Sequence, residues 1–544
     1  MIKRTIFTIV LATAAMVVQA QEWFKTDSVT IQGRIEGYDA EQFGFTSMSD
    51  TFDDVFEKEG TVLVLDINDD GTFCKKFKVS YPVRLSFSAD ESKVGFKGMR
   101  IFARPGETID VTVAKDANGK YQCRYNGGSS SEVQRWLRSG WKFSELSRAM
   151  WRFKGKLDEA NLAAEMLWQI VNDSLQQVAK REGYTPLEMQ LAQADIQARF
   201  GEGYLTYVAN HESDLIKWEQ RDGKYHKVIT DSAEWQKKRD YDTYKPLKHV
   251  DFTNPLLFAS DDISSLLNRM QYAEVVWEDK NKGVTNEMGN IEINYDIYVK
   301  ELSNYRTALN KLTGGKDNLM TQLCVYKTFA IRFDHWRSYD DDIPKIKVDT
   351  RLTKAEREKV LKTWPTLDMM TKLYISALPH SYLRQKAEQF MAIKLAQKDL
   401  AAPLPDKPMA DLIRKLSAKY PGRILVIDFW GMTCGPCRLA IQTSKDLRAE
   451  IAKRNDVKLI FIAGERTTEG SEAYKKYVAE WLADEETVCV TNQDFAKLRE
   501  LFQFNGIPHF ETFTPDCRRV RDDLQIHGYN AFDYELQMLI DKLK

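Results

Sequence analysis

The sequence predicts a multidomain protein: an N-terminal antiparallel β-sandwich over residues 21–126, an α-helical region over 130–400, a linker at 401–408 and an α/β domain over 409–544. Three observations predict it. The chain has 544 residues, more than one hydrophobic core supports. Its apolar pattern changes period along the chain: short alternating runs come first, then three- and four-residue spacing, then strand-like and helix-like stretches in turn. Two breaks separate these stretches. One is Gly127-Gly128-Ser129-Ser130-Ser131, and the other is Ala401-Ala402-Pro403-Leu404-Pro405-Asp406-Lys407-Pro408, whose three prolines favour extended backbone.

Residues 1–20 read as a cleaved export signal. Lys3 and Arg4 precede an apolar run from Ile6 to Val18, and small Ala20 stands before Gln21-Glu22. A spanning helix needs about 20 apolar residues, so an uncleaved membrane anchor is the lesser alternative. A periplasmic location is expected if the source is a Gram-negative bacterium. Lysine plus arginine (78) nearly cancels aspartate plus glutamate (79), which leaves no net field to gather nucleic acid. With 43% hydrophobic and 29% charged residues, disorder, collagen and coiled coil are excluded.

In the first domain the strand runs are Val29–Gly33, Val62–Leu65, Val83–Phe87 and Thr108–Val113, separated by turn signals at Asn68–Gly71, Pro105-Gly106 and Asn118-Gly119. Cys74 and Cys123 fall in this region and could form a bridge in an oxidising compartment, although lone cysteines more often serve as small buried hydrophobes. Seven cysteines leave at least one thiol free.

The helical region carries Trp136, Trp141, Phe143 and Trp151 at helical spacing, read as core packing in preference to a ligand cage. His211, His226, His249, His335 and His380 show no metal-ligand spacing, and Asp340-Asp341-Asp342 reads as a solvated loop. No metal or other cofactor is expected.

The last domain carries the chemistry. Helices are predicted near Met409–Lys419, Cys434–Ala452, within Ser471–Leu482, at Asp494–Phe502 and near Tyr529–Leu543. Strands are predicted at Ile424–Phe429, Val457–Ala463, Thr487–Val490 and His509–Phe513. The first strand runs through Trp430-Gly431-Met432-Thr433 into Cys434-Gly435-Pro436-Cys437-Arg438, so a dithiol arrives at a helix start. Unpaired N–H groups and the positive end of the helix dipole favour a thiolate there, making Cys434 the nucleophile. Cys437 lies one turn on, on the same face, as the resolving thiol. A lone C-x-x-C could also be half a zinc site, but no second pair stands at zinc spacing, and the intervening proline favours redox chemistry. Trp430 and Met432 are candidate rim residues for a substrate, with packing as the alternative for Trp430. His509 is either a partner contact or a strand-end surface residue.

From about residue 405 onward this order of elements resembles the thioredoxin superfamily. With the export signal and the upstream regions it resembles the TlpA/ResA-like periplasmic thiol–disulfide oxidoreductases of Bacteroidetes. The resemblance implies that Asp428, six residues before Cys434, takes and returns the proton of the resolving thiol. It also implies that Ile507-Pro508, after Asn505-Gly506, forms a cis-proline loop that binds substrate backbone. Thr433 stands where the family usually has tryptophan, and Leu439-Ala440-Ile441-Gln442 lacks the family's helix glutamate. Asp428 would then act alone, Glu465 being read as a solvated loop acid.

The expected function is an exported thiol–disulfide oxidoreductase reducing envelope proteins, with electrons from a membrane donor. The alternative is an envelope scaffold whose β and helical regions carry the main function, with the dithiol domain as an auxiliary.

Overall fold

The computed structural model describes residues 23–96, 98–139, 145, 148–221, 224–284 and 293–543. The expected leader, Trp141 and Phe143 lie outside these residues.

Eight strands build the N-terminal domain: β1 (Asp27–Ile35), β2 (Ser47–Asp54), β3 (Lys58–Asp66), β4 (Thr72–Val79), β5 (Val83–Ser88), β6 (Gly98–Ala103), β7 (Thr108–Lys115) and β8 (Tyr121–Tyr125). They form two sheets, ordered β4-β1-β7-β8 and β3-β2-β5-β6. Alternate residues point into one core, as with Val29 and Ile31 on β1, Leu85 and Phe87 on β5, and Val111 and Val113 on β7. The expectation of a purely antiparallel sandwich is corrected, because β1 pairs β7 in parallel, from Thr30 with Thr108 to Ile35 with Val113. The chain builds the whole second sheet between these strands, and that long crossover returns it in the same direction.

The sheet order also separates Cys74 from Cys123. They sit on β4 and β8, opposite edges of one sheet, at least about 14 Å apart across three strand spacings. A disulfide spans about 4.4–6.8 Å between Cα atoms, and both thiols are free.

The next region is mainly helical: α1 (Leu157–Glu182), α2 (Pro186–Asp214), α3 (Tyr295–Leu312), α4 (Leu319–Val348) and α5 (Ser381–Ala396) are its long helices. A hairpin of β9 (Ile216–Arg221) and β10 (Lys224–Ile229) interrupts it. Helix α2 begins with a capping box between Thr185 and Glu188 and is buried almost all round from Leu191 to Val208. The sandwich and the helices share one core, continuous from Phe24 to Ala387. Trp136 is buried edge-on to Phe102, whereas Trp151 is about half exposed. Asp340–Asp342 belong to α4 and not to a loop. Asp340 accepts the Leu367 N–H at 3.1 Å, and Asp342 pairs with Lys345.

The last domain is a six-stranded sheet ordered β11-β16-β15-β12-β13-β14. Its strands are β11 (Ala401–Pro403), β12 (Ile424–Trp430), β13 (Val457–Ala463), β14 (Glu486–Cys489), β15 (His509–Phe513) and β16 (Arg518–Val520). Strands β12, β13 and β14 run parallel, while β15 and β16 are antiparallel additions. The expected linker is thus corrected in its first part: Ala401–Pro403 pairs with Val520–Arg518 as an edge strand, a place where proline's missing N–H costs no ladder bond.

Helices α6 (Pro408–Ala418), α7 (Gly435–Thr443), α8 (Lys445–Ala452), α9 (Glu472–Trp481), α10 (Asn492–Phe502) and α11 (Phe532–Leu543) cover the sheet. Leu425, Ile427 and Phe429 of β12 face one core with residues of α6 and α10. Ile424, Val426 and Trp430 face the other, with α7, α9 and α11. The single helix expected over Cys434–Ala452 is two, broken at Ser444. The Thr443 hydroxyl donates to the Leu439 carbonyl and that of Ser444 to Ile441, a local competition that interrupts helices.

This domain docks on the sandwich edge. Gln503 satisfies both the N–H and the C=O of Val62 on β3, each at 3.1 Å, and Glu500 accepts the Val64 N–H at 2.9 Å. The side chains thereby occupy an edge strand that would otherwise present open backbone groups.

Candidate active site

The site lies where β12 ends. Seven consecutive buried residues make β12 the central strand, and it delivers the chain through Gly431-Met432-Thr433 to Cys434, the N-cap of α7. The Cys437 N–H donates to Cys434 Sγ at 3.1 Å, placing a helix-start donor on that sulfur as an N-cap side chain would. Gly435 and Pro436 fill the first turn, where proline's missing N–H has no partner to lose. Cys434 and Cys437 form a disulfide with Cα atoms 5.3 Å apart. The two sulfurs differ in access: Cys434 is partly exposed, while Cys437 is 1% exposed within the core that contains Trp430 and Ile441.

Asp428 is the polar interruption on that same face of β12. It is 2% exposed, and desolvation pushes its carboxyl up to about 7, with the Tyr529 hydrogen bond and the Arg448 charge pulling the other way. The Tyr529 hydroxyl donates to Oδ2 at 2.5 Å. Oδ1 has no hydrogen-bond partner among the described residues. A carboxyl of this kind can exchange a proton near neutral pH.

The Ile507–Pro508 bond is cis, and the Ile507 carbonyl oxygen lies 3.6 Å from Cys434 Sγ. Pro508 is exposed beside it. The structure thus brings Cys434, Cys437, Ile507 and Pro508 to one end of the sheet, with Asp428 beneath on the same face as Cys437.

No family model and no curated protein matches the chain. Solved structures do. The thioredoxin domain of a thiol-disulfide oxidoreductase from Bacteroides vulgatus is 19% identical, with 22% of this chain and 83% of that chain covered at a TM-score of 0.19. A thiol:disulfide interchange protein from Bacteroides sp. is also 19% identical, with coverage of 22% and 76% and a TM-score of 0.19. A secreted disulfide oxidoreductase of Mycobacterium tuberculosis is 18% identical, with coverage of 23% and 85% and a TM-score of 0.17. These matches are thiol–disulfide oxidoreductases and interchange proteins by name, and each takes in about a fifth to a quarter of the present chain.

Trp430 is not a substrate rim. It is 0% exposed and packs on Tyr474 and Tyr477, with ring centroids 6.0 and 5.3 Å away. As an even-numbered residue of β12 it points into the α7 side of the sheet, so packing takes the whole ring. His509 stacks on Phe504 at 4.2 Å and hydrogen-bonds Glu511 at 2.9 Å, which holds it within the domain. Glu465 pairs with Arg499 at 2.9 Å. Thr433 turns its hydroxyl to the Glu465 carbonyl at 3.3 Å.

Sequence reasoning missed Tyr529. It stands 101 residues beyond Asp428 and lies in no motif; only the return of the chain to α11 brings its hydroxyl to the carboxyl. Among the described residues no cluster of three or more His, Cys, Asp or Glu could hold a metal ion. No described helix is long and apolar enough to cross a membrane.

Proposed function

We propose that the C-terminal domain is an exported thiol–disulfide oxidoreductase that reduces disulfides of envelope proteins and is itself reduced by a membrane donor. The observation that carries this reading is the asymmetry of the dithiol: one reachable sulfur at a helix start, one buried sulfur behind it, and a half-satisfied carboxyl on the same face of the sheet.

In the reduced enzyme, the Cys434 thiolate attacks one sulfur of a partner disulfide. A Cys434–partner bond forms, the partner's S–S bond breaks, and the released partner thiolate takes up a proton. Cys437 gives its proton to Asp428 and attacks Cys434 Sγ, closing the intramolecular disulfide and expelling the second partner thiolate. Two electrons pass to the partner, and the donor restores them to the Cys434–Cys437 pair. Cys437 is sheltered from solvent, so it favours the internal attack over reaction with a second partner. The Gly-Pro dipeptide, which resembles that of reducing thioredoxins, supports the reductase direction.

Purified protein is expected to catalyse reduction of insulin by dithiothreitol, and Cys434→Ser to abolish it. Cys437→Ser is expected to accumulate partners as mixed disulfides on Cys434, seen as bands on non-reducing gels that collapse on reduction. If Cys437→Ser captured nothing while the wild type turned over insulin, the exchange sequence above would be wrong. The reduction potential against glutathione decides between reductase and oxidase.

A further inference from the structure

The tip of the β2–β3 hairpin lies against the loop that borders the dithiol, and the chemistry above makes no use of it. Gly60, the third residue of β3, is buried with φ +68, and a Cβ there would stand 2.0 Å from Asn505 Nδ2. The positive φ favours glycine here, and its missing side chain leaves room for Asn505. Asn505 comes two residues before Ile507, whose carbonyl oxygen lies 3.6 Å from Cys434 Sγ. On the other side of Pro508, Lys58 sits in the field of Glu511, Arg519 and Asp522. Glu511 pairs in turn with His509 and Arg519. The tip therefore lies against Asn505, at the start of the loop that carries the cis-proline.

The tip is also fixed from behind. Lys327 of α4 pairs with Glu59, and Lys386 of α5 pairs with Glu57. The Tyr326 hydroxyl donates to the Phe56 carbonyl at 2.9 Å. Further along β3, Gln503 and Glu500 hold Val62 and Val64 to α10. Sandwich, helical region and dithiol domain thus meet at one hairpin, while Asn505, Gly506 and Pro508 stay exposed next to it.

The geometry points to the tip Glu57–Gly60 as a fixed wall of the partner groove, which admits disulfides on extended polypeptide segments or small molecules and turns away those set in a broad folded surface. This rests on the dithiol reading above and names its substrate class. A rigid wall selects by repulsion, which discriminates between partners without adding affinity for any of them. It also gives the upstream regions a share in the reaction of the dithiol domain.

The test compares glutathione disulfide with native insulin as substrates of the full-length protein. Lys58→Trp adds bulk at the tip and is expected to lower kcat/KM for insulin by roughly tenfold, with glutathione disulfide unchanged. Lys327→Met combined with Lys386→Met unpins the tip and is expected to raise kcat/KM for insulin, again without effect on glutathione disulfide. Circular dichroism establishes folding for each, and either variant alone decides the matter if the other does not fold. Parallel changes for both substrates, or no change for either, would overturn the wall. A wild-type protein inactive on both disulfides would instead overturn the dithiol reading.

Discussion

Buried charges are answered differently at two places in this molecule. In the sandwich and helical body two clusters are built from ion pairs. Arg84 meets Asp195 at 3.2 Å and also Asp261, while Arg199 meets Asp195 at 3.1 Å and Asp262 at 3.0 Å. Glu301, 0% exposed, lies between Lys280 at 3.2 Å and Arg332 at 2.9 Å. In the dithiol domain Asp428 is as deeply buried, yet only a tyrosine hydroxyl answers it and one oxygen is left over. A paired buried charge is a structural device whose worth lies in being complete. A half-answered one has its proton affinity displaced toward neutrality, and beside a dithiol such a group is placed to move a proton.

The contrast can be broken most directly at Glu301. Glu301→Gln leaves Lys280 and Arg332 without their shared carboxylate and is expected to cost about 3–5 kcal/mol, read as a lower denaturant midpoint. Insulin turnover per folded molecule should not change. A loss too small to measure would mean that the ion pairs of the body are as dispensable as surface pairs.

Asp428→Asn is expected to act through pH. The folded carboxyl titrates at about 7 against an ordinary 3.8, so the folded chain holds this proton more tightly than the unfolded one. Its contribution is fully present below pH 3.8 and is lost as pH rises through 7. Between those values the stability of the variant should gain on the wild type, by at most about 4 kcal/mol. Urea melts at pH 4 and pH 7.5 measure the difference. The rise of insulin reduction with pH through about 7 should flatten in the same variant. A wild-type profile already flat there would remove Asp428 from the proton path.

The smallest expected effect is that of Tyr529→Phe. The hydroxyl favours the charged carboxyl, and its loss should raise the Asp428 titration further, by an amount equivalent to about 1 kcal/mol. The rate profile would shift to higher pH with little change in its plateau. A shift to lower pH would mean that the hydrogen bond favours the protonated acid instead.

Much of the dithiol domain is legible because its signals are local. β13 and β15 have the predicted ends, and β12 extends the prediction only by Trp430. Cys434 stands at the helix start where C-G-P-C after a buried strand places it. Elsewhere the pattern misleads. β2 reads Ser-Met-Ser-Asp-Thr-Phe-Asp-Asp, too acidic to signal a strand, yet it pairs through β3. β11 and β16, of three residues each, are too short for any periodicity.

By itself the sequence determined the central strands of the dithiol domain and what chemistry the dithiol offers, because alternation and helix-start electrostatics act over a few neighbouring residues. Only the tertiary structure decided that β1 and β7 run parallel, that Cys74 and Cys123 sit on opposite edges, that Trp430 is wholly packed, that Tyr529 reaches Asp428, and that a sandwich hairpin stands against Asn505. Each of these joins residues far apart in the chain, and such pairings are fixed by the packing of complete faces against one another, which no local window of sequence contains.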